Sequence, residues 1–188
     1  MALVAAAGAS GAPPARAAAA CGLRGAATIL HTEHTCILDS ASSGVCACQG
    51  NRAVRLRDAQ FGPYGPKRSF VVRGHFVAYF ASLPGQPFDG RLQVPGTAAV
   101  VNLRTGRRTV LAPAHADDNP GDYVGSIVVS AAGRAVWVGC GTTCAVYSAR
   151  HDADYHTLDP GPVADTSLRR HGRHVTWLHD HTRRTARL

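Results

Sequence analysis

Residues 100–111 read V-V-N-L-R-T-G-R-R-T-V-L, which is two apolar arms joined by a turn that contains glycine. Residues 45–56, V-C-A-C-Q-G-N-R-A-V-R-L, have the same arrangement, and residues 146–158 are a looser third copy. Each copy predicts an antiparallel β-hairpin, because two short strand-like runs flank a turn residue. One hairpin cannot bury its apolar face alone, so recurring hairpins indicate units that stack on their neighbours.

A second recurring pattern begins at a glycine. It reads G-H-F-V-A-Y at residues 74–79, G-R-A-V-W-V at residues 133–138 and G-R-H-V-T-W at residues 172–177. After residue 25 no window keeps apolar residues at helical spacing for ten or more positions, so we predict an all-β fold of antiparallel hairpins and meanders. The predicted strands are short and include Ser126–Ser130 and Thr166–Leu168. The two patterns divide a single domain over residues 21–188 into four units, namely residues 28–57, 68–112, 122–159 and 165–188.

The order of the two patterns, G-x-x-V-x-W and then V-x-N-L-x-T-G-x-x-x-x-L, resembles the blades of WD40-like and TolB-like β-propellers. It is also similar to repeats of exported actinobacterial proteins. The resemblance covers residues 35–188 and implies a small or incomplete propeller, whose blades have up to four strands in about 40 residues. A β-sandwich of the same hairpins is the alternative. Such families are mostly binding or scaffold modules, so the resemblance implies a binding domain rather than a particular reaction.

The first twenty residues do not have the composition of a folded segment. Residues 1–20 combine a short apolar run, a Pro-Pro pair and a small-residue end, so they are similar to the back half of a secretory signal or to a disordered leader. No later segment is apolar over the ~18–20 residues that a membrane-spanning helix needs. We therefore predict a secreted or cell-surface protein.

Six cysteines form an even set, which predicts disulfides in an exported protein. Cys140 and Cys144 are predicted to pair across a tight loop. A turn places Cys36 opposite Cys46 and Cys48, so one of those two is its predicted partner and Cys21 takes the other. The alternative is a metal or redox site, but Cys46-Ala-Cys48 does not have the C-x-x-C spacing of a zinc set.

The chain is strongly basic, with a formal net charge of +8 and a pI of about 9.7. A basic protein attracts polyanions such as nucleic acid, anionic polymers and anionic lipid head groups. The charge is concentrated near the C-terminus. We interpret this cluster either as a solvated outer strand, where arginine blunts an exposed edge, or as a weak polyanion site. Its members are Arg169, Arg170, Arg173, Arg183, Arg184 and Arg187.

The chain has ten histidines, whose imidazole groups are suited to metal binding and to acid–base chemistry. His179 and His181 would share one face of a strand, and with His174 they form a candidate site for zinc, copper or nickel. Solvated histidines are the alternative. We find no G-x-x-x-x-G-K-[ST], H-E-x-x-H or G-x-S-x-G motif, and we predict neither a cofactor nor a catalytic residue.

Three functions remain open on these grounds. The first is an exported, non-catalytic domain that binds a protein, a glycan or a surface polymer. The second is an exported metal-binding protein or metal-dependent hydrolase that uses the histidines. The third is polyanion binding through the C-terminal arginines.

Trp137, Trp177 and Tyr79 recur in phase with the units, so we predict that they pack in the core rather than stack on a sugar.

Overall fold

The computed structural model describes residues 19–188 except residues 24, 41–43, 60, 62–64, 83–95, 117–120 and 153. The predicted leader over residues 1–20 therefore lies almost wholly outside the described residues. Within them, the chain forms four consecutive antiparallel sheets, each with its strands in chain order, and a single 3₁₀ turn at Pro66–Arg68. The all-β prediction is confirmed.

The four sheets contain fifteen described strands. The first sheet holds β1 (Ala27–His31), β2 (Thr35–Ser40), β3 (Gly44–Gln49) and β4 (Arg52–Arg55). The second holds β5 (Phe70–Arg73), β6 (Phe76–Ala81), β7 (Thr97–Asn102) and β8 (Arg107–Pro113). The third holds β9 (Tyr123–Val129), β10 (Ala135–Cys140), β11 (Cys144–Ala149) and β12 (Tyr155–Asp159). The fourth holds β13 (Arg169–His171), β14 (His174–His179) and β15 (Thr182–Arg187).

The predicted strand at Thr166–Leu168 is wrong. Ser167 closes a turn there, since its backbone N–H and its hydroxyl both donate to the Ala164 carbonyl, at 3.0 and 2.6 Å. Leu168 is buried, and the strand begins at Arg169, where pairing with Thr176 of β14 becomes available. The strand predicted at Ser126–Ser130 instead begins at Tyr123 and ends at Val129.

The sheets pack face to face in chain order. Alternate residues of each central strand point to opposite neighbours, so Tyr79 packs toward the first sheet while Phe80 packs toward the third. Trp137 faces the second sheet, and Trp177 of the fourth sheet faces the third. Tyr79, Trp137 and Trp177 have relative exposures of 1%, 0% and 4%, which confirms that they are core residues.

Disulfides cover the outer face of the first sheet. Cys21 and Leu23 lie on that face, together with Leu38 of β2. The pairs are Cys21–Cys46 and Cys36–Cys48, with Cα–Cα distances of 6.2 and 5.0 Å. The third disulfide, Cys140–Cys144, joins the ends of β10 and β11. The prediction of disulfides is confirmed, and the structure selects Cys48 as the partner of Cys36.

The outer face of the fourth sheet has a different composition. The register of β14 with β13 and β15 places His174, Thr176 and Leu178 on the face away from the third sheet. No core cluster of the described residues covers this face. The stack therefore has a disulfide-bonded cover at its first sheet and an open face at its fourth.

Candidate functional site

A groove of about 1120 Å³ lies where the turns of the first two sheets meet. In an antiparallel meander, alternate turns lie at the same end of the sheet. The β1–β2 and β3–β4 turns of the first sheet therefore lie together, and so do the β5–β6 and β7–β8 turns of the second. These four turns line the groove, which thus brings together residues 31–35, 49–52, 73–75 and 104.

The groove is lined by a strong excess of positive charge. Arg52, Arg73 and Arg104 all line it and are all exposed. Glu33 is the one acidic residue of the lining, and its carboxylate lies 3.8 Å from Nε2 of His34. Among the described residues, no acidic side chain forms an ion pair with these three arginines. Clustered arginines without acidic partners favour an anionic ligand, because guanidinium groups bind carboxylate, sulfate and phosphate with charge-assisted hydrogen bonds.

A chain of hydrogen bonds holds the turns of the groove together. Nη2 of Arg104 donates to Nε2 of His75 at 2.7 Å, and arginine can only donate, so Nε2 is the unprotonated nitrogen. The proton is then on Nδ1, which donates to Oε1 of Gln49 at 2.6 Å. The amide nitrogen of Gln49 donates to the Gly74 carbonyl at 2.9 Å and to the Thr35 hydroxyl at 3.2 Å. Both ring nitrogens of His75 are thereby engaged in hydrogen bonds, and the Arg104 guanidinium is oriented.

Arg52 and Arg104 are linked directly. The Arg52 guanidinium donates to the backbone carbonyl of Arg104, which draws the β3–β4 turn of the first sheet to the β7–β8 turn of the second. A guanidinium has five N–H donors, and the contact with the Arg104 carbonyl uses only Nη1 of Arg52. The remaining donors of two neighbouring arginines can bind one anionic group, or two adjacent ones, at the rim of the groove.

The predicted metal-binding histidines do not come together. His174 and His179 lie at opposite ends of β14, about 16 Å apart at the usual strand rise. They also lie on opposite faces of the sheet, since their positions differ by an odd number. His181 is not in a strand: Asp180 and His181 form a two-residue turn with φ of 46° and 63°. The described residues contain no group of three or more histidine, cysteine, aspartate or glutamate side chains suited to a metal ion.

His179 has a different partner. Its Nδ1 lies 2.7 Å from Oδ1 of Asp159, and the Trp177 indole N–H donates to Oδ2 of the same carboxylate at 2.6 Å. Asp159 is buried, so these two contacts satisfy a carboxylate that would otherwise be costly inside the fold. The pair joins the third sheet to the fourth, and we interpret it as structural.

The six C-terminal arginines do not share one surface. Arg169, Arg183 and Arg187 pair with outer-face residues of β14 and lie on the open face of the fourth sheet. Arg170 and Arg184 pair with Val175 and Trp177, which point toward the third sheet. Arg173 is in the β13–β14 turn.

The groove itself was not predicted from the sequence. Its basic residues belong to hairpin turns that are far apart in the chain, and only folding brings them together. One signal was available, which is an arginine close to the glycine in three of the four turns: Gly50-Asn-Arg52, Arg73-Gly74 and Arg104-Thr-Gly106. Arginine at successive turns on one end of a stack predicts a basic rim, because those turns converge.

Comparison with known protein families finds no matching family model, and comparison with curated proteins finds no match. Within the described part of the chain, no helix has the length and apolar character needed to cross a membrane. The three disulfides are compatible with a place outside the cytoplasm. The function is therefore inferred from the geometry and charge of the groove.

Proposed function

We propose that the chain is an exported, non-catalytic binding domain that takes an anionic ligand in the groove between its first and second sheets. The observation that carries the proposal is the composition of the groove lining, which has three arginines and three histidines but a single glutamate. The hydrogen bonds from Arg104 through His75 to Gln49 preorganise the rim, so little side-chain entropy is lost when an anion binds.

The wider architecture supports this assignment. Four meander sheets stacked in chain order are what an incomplete β-propeller of the WD40-like or TolB-like kind would present, and such modules commonly bind ligands at the turns. Export is supported by the disulfide pairing of all six cysteines, since disulfides persist in oxidising compartments.

The test is a titration of a heparin-derived tetrasaccharide, a sulfated and carboxylated probe, with neutral maltotetraose as the ligand control. We expect the anionic probe to bind and the neutral one not to bind. Arg52→Gln combined with Arg104→Gln should weaken binding by about tenfold or more, since each lost charge-assisted hydrogen bond costs about 1.5–3 kcal/mol. Melting temperatures show whether the variant is folded.

The matched control removes the same charge elsewhere. Arg183→Gln combined with Arg187→Gln takes two arginines from the open face of the fourth sheet and should change the affinity less than about twofold, a long-range electrostatic effect only. Absence of binding by the wild-type chain, or equal affinity of the groove variant and the wild type, would show that the groove is not an anion site.

A second candidate rests on the fourth sheet. Arg169, Arg183 and Arg187 share its outer face, and the register places His171 and His174 beside them without an acidic side chain. This face suits a polyanion that lies flat on the sheet. The same two variants discriminate between the candidates, because a larger loss in the fourth-sheet variant would assign binding to that face.

A further inference from the structure

A second basic cavity lies beside the groove. It has a volume of about 390 Å³ and is lined by Arg55, Arg57 and Arg108, with Asp58 as its acidic residue. Tyr79, Val101 and Gly106 complete the lining. Like the groove, this cavity lies between the first and second sheets.

The two cavities share their walls. Arg52 of the groove is the first residue of β4, and Arg57 of the second cavity follows the end of that strand. Arg104 of the groove and Gly106 of the second cavity are both in the β7–β8 turn. The turn packs on β4, since Arg52 donates to the Arg104 carbonyl and Val54 Cγ2 lies 4.0 Å from the position of a Cβ on Gly106.

The junction of β4 with the β7–β8 turn therefore carries positive charge on both sides. Arg52 and Arg104 line the groove, and Arg57 and Arg108 line the second cavity, whereas Arg55 pairs with Cys46 and lies on the disulfide-bonded outer face of the first sheet. The side chains of both lining pairs are exposed. A single small anion would contact one of these pairs, whereas a chain with repeated negative groups would contact both.

The chemistry of the lining favours a polysaccharide over single-stranded nucleic acid. Nucleic acid binders of that kind combine positive charge with exposed aromatic rings on which bases stack. Of the described residues that line the two cavities, Tyr79 is the one phenylalanine, tyrosine or tryptophan, and it is 1% exposed. Its hydroxyl donates inward to the Arg57 carbonyl at 3.1 Å. Burial raises the pKa of Tyr79 from 10.0 to about 12, and Asp58 adds to this while Arg108 opposes it.

We infer that the ligand is an extended anionic polysaccharide, which runs from the groove across the junction of β4 and the β7–β8 turn into the second cavity. This rests on the proposed function, since it assigns a ligand class to the same groove. Repeated carboxylate or sulfate groups would contact Arg52 and Arg104 first and Arg57 and Arg108 further along the chain.

The experiment compares two lengths of one probe on the full chain. A heparin-derived dodecasaccharide should bind about tenfold or more tightly than the tetrasaccharide, because the longer probe contacts both arginine pairs. Arg57→Gln combined with Arg108→Gln should remove that advantage and leave tetrasaccharide affinity within about twofold. Arg57→Lys combined with Arg108→Lys keeps the charge and should restore part of the advantage.

The outcomes separate this inference from the proposed function. If tetrasaccharide binding depends on Arg52 and Arg104 but the dodecasaccharide shows no advantage, or an advantage insensitive to Arg57 and Arg108, the extended tract is wrong and the groove stands. If neither oligosaccharide binds, both are wrong. If oligo-dT of the same charge binds more tightly than the dodecasaccharide, the polysaccharide assignment is wrong.

Discussion

Single side chains connect neighbouring sheets, and Trp137 is the largest of those that are fully buried. Its ring stacks on Tyr147 with a centroid distance of 5.7 Å, and its indole N–H donates to the Ala114 carbonyl at 3.1 Å. The same carbonyl lies so close to Gly139 that a Cβ there would overlap it. Glycine at position 139 is thus required by the close approach of two sheets.

Replacing Trp137 with alanine should lower the free energy of unfolding by about 3–5 kcal/mol, because the change opens a cavity and leaves the Ala114 carbonyl without its donor. Urea unfolding followed by far-UV circular dichroism measures this loss. Leu178→Ala is the control, since Leu178 is 38% exposed on the open face and should change stability by less than about 0.5 kcal/mol. Equal effects of the two substitutions would contradict the assignment of Trp137 to the core.

Among the elements, the segment that begins at Cys21 covers one face of the first sheet through two disulfides. Replacing Cys21 and Cys46 with serine should release that segment and lower the free energy of unfolding by about 2–4 kcal/mol. Replacing Cys140 and Cys144 should cost less, because four positions separate them rather than 25 and the closed loop is much shorter. Urea titrations of the two variants test this, and a larger loss in the Cys140 and Cys144 variant would contradict it.

Elements with local signals were predictable from the sequence. The hairpins around Gly50 and Gly106 follow from apolar arms and a turn residue, and β3–β4 and β7–β8 are confirmed. The start of β13 was not predictable from the sequence. It depends on which residue of β14 is free to pair with Arg169 and on the burial of Leu168. The three histidines predicted as a metal site do not come together for a related reason. Strand β14 ends at His179, so the two-residue periodicity of a strand does not extend to His181.

The groove could not be predicted from local sequence patterns. Its rim depends on contacts between residues that are 25 to 52 positions apart, such as Gln49 with Gly74 and Arg52 with Arg104. These contacts are set by which face of each sheet is apolar and by how the sheets stack. A hairpin pattern specifies a turn and its residues, but it does not specify which turn of the next sheet will lie beside it.

In the molecule as a whole, stability depends on neighbours in the stack. The second and third sheets are covered on both faces, because core clusters join them to each other and to the sheets on either side. The first sheet is covered by the second and by the disulfide-bonded segment at Cys21. The fourth sheet is covered on one face, and every described residue of β15 other than Ala186 is exposed.

Hydrogen exchange followed by mass spectrometry should therefore show the order in which the four sheets unfold. In stacked units, each sheet is stabilised by its own pairing and by the interfaces with its neighbours. Amides of β13–β15 should lose protection at the lowest urea concentration, and amides of β6, β7 and β10 at the highest. Under reducing conditions the first sheet should move toward the behaviour of the fourth, because its cover is no longer tied down. If the fourth sheet exchanged together with the second and third, the four sheets would form one cooperative unit and the open face would not weaken the end of the stack.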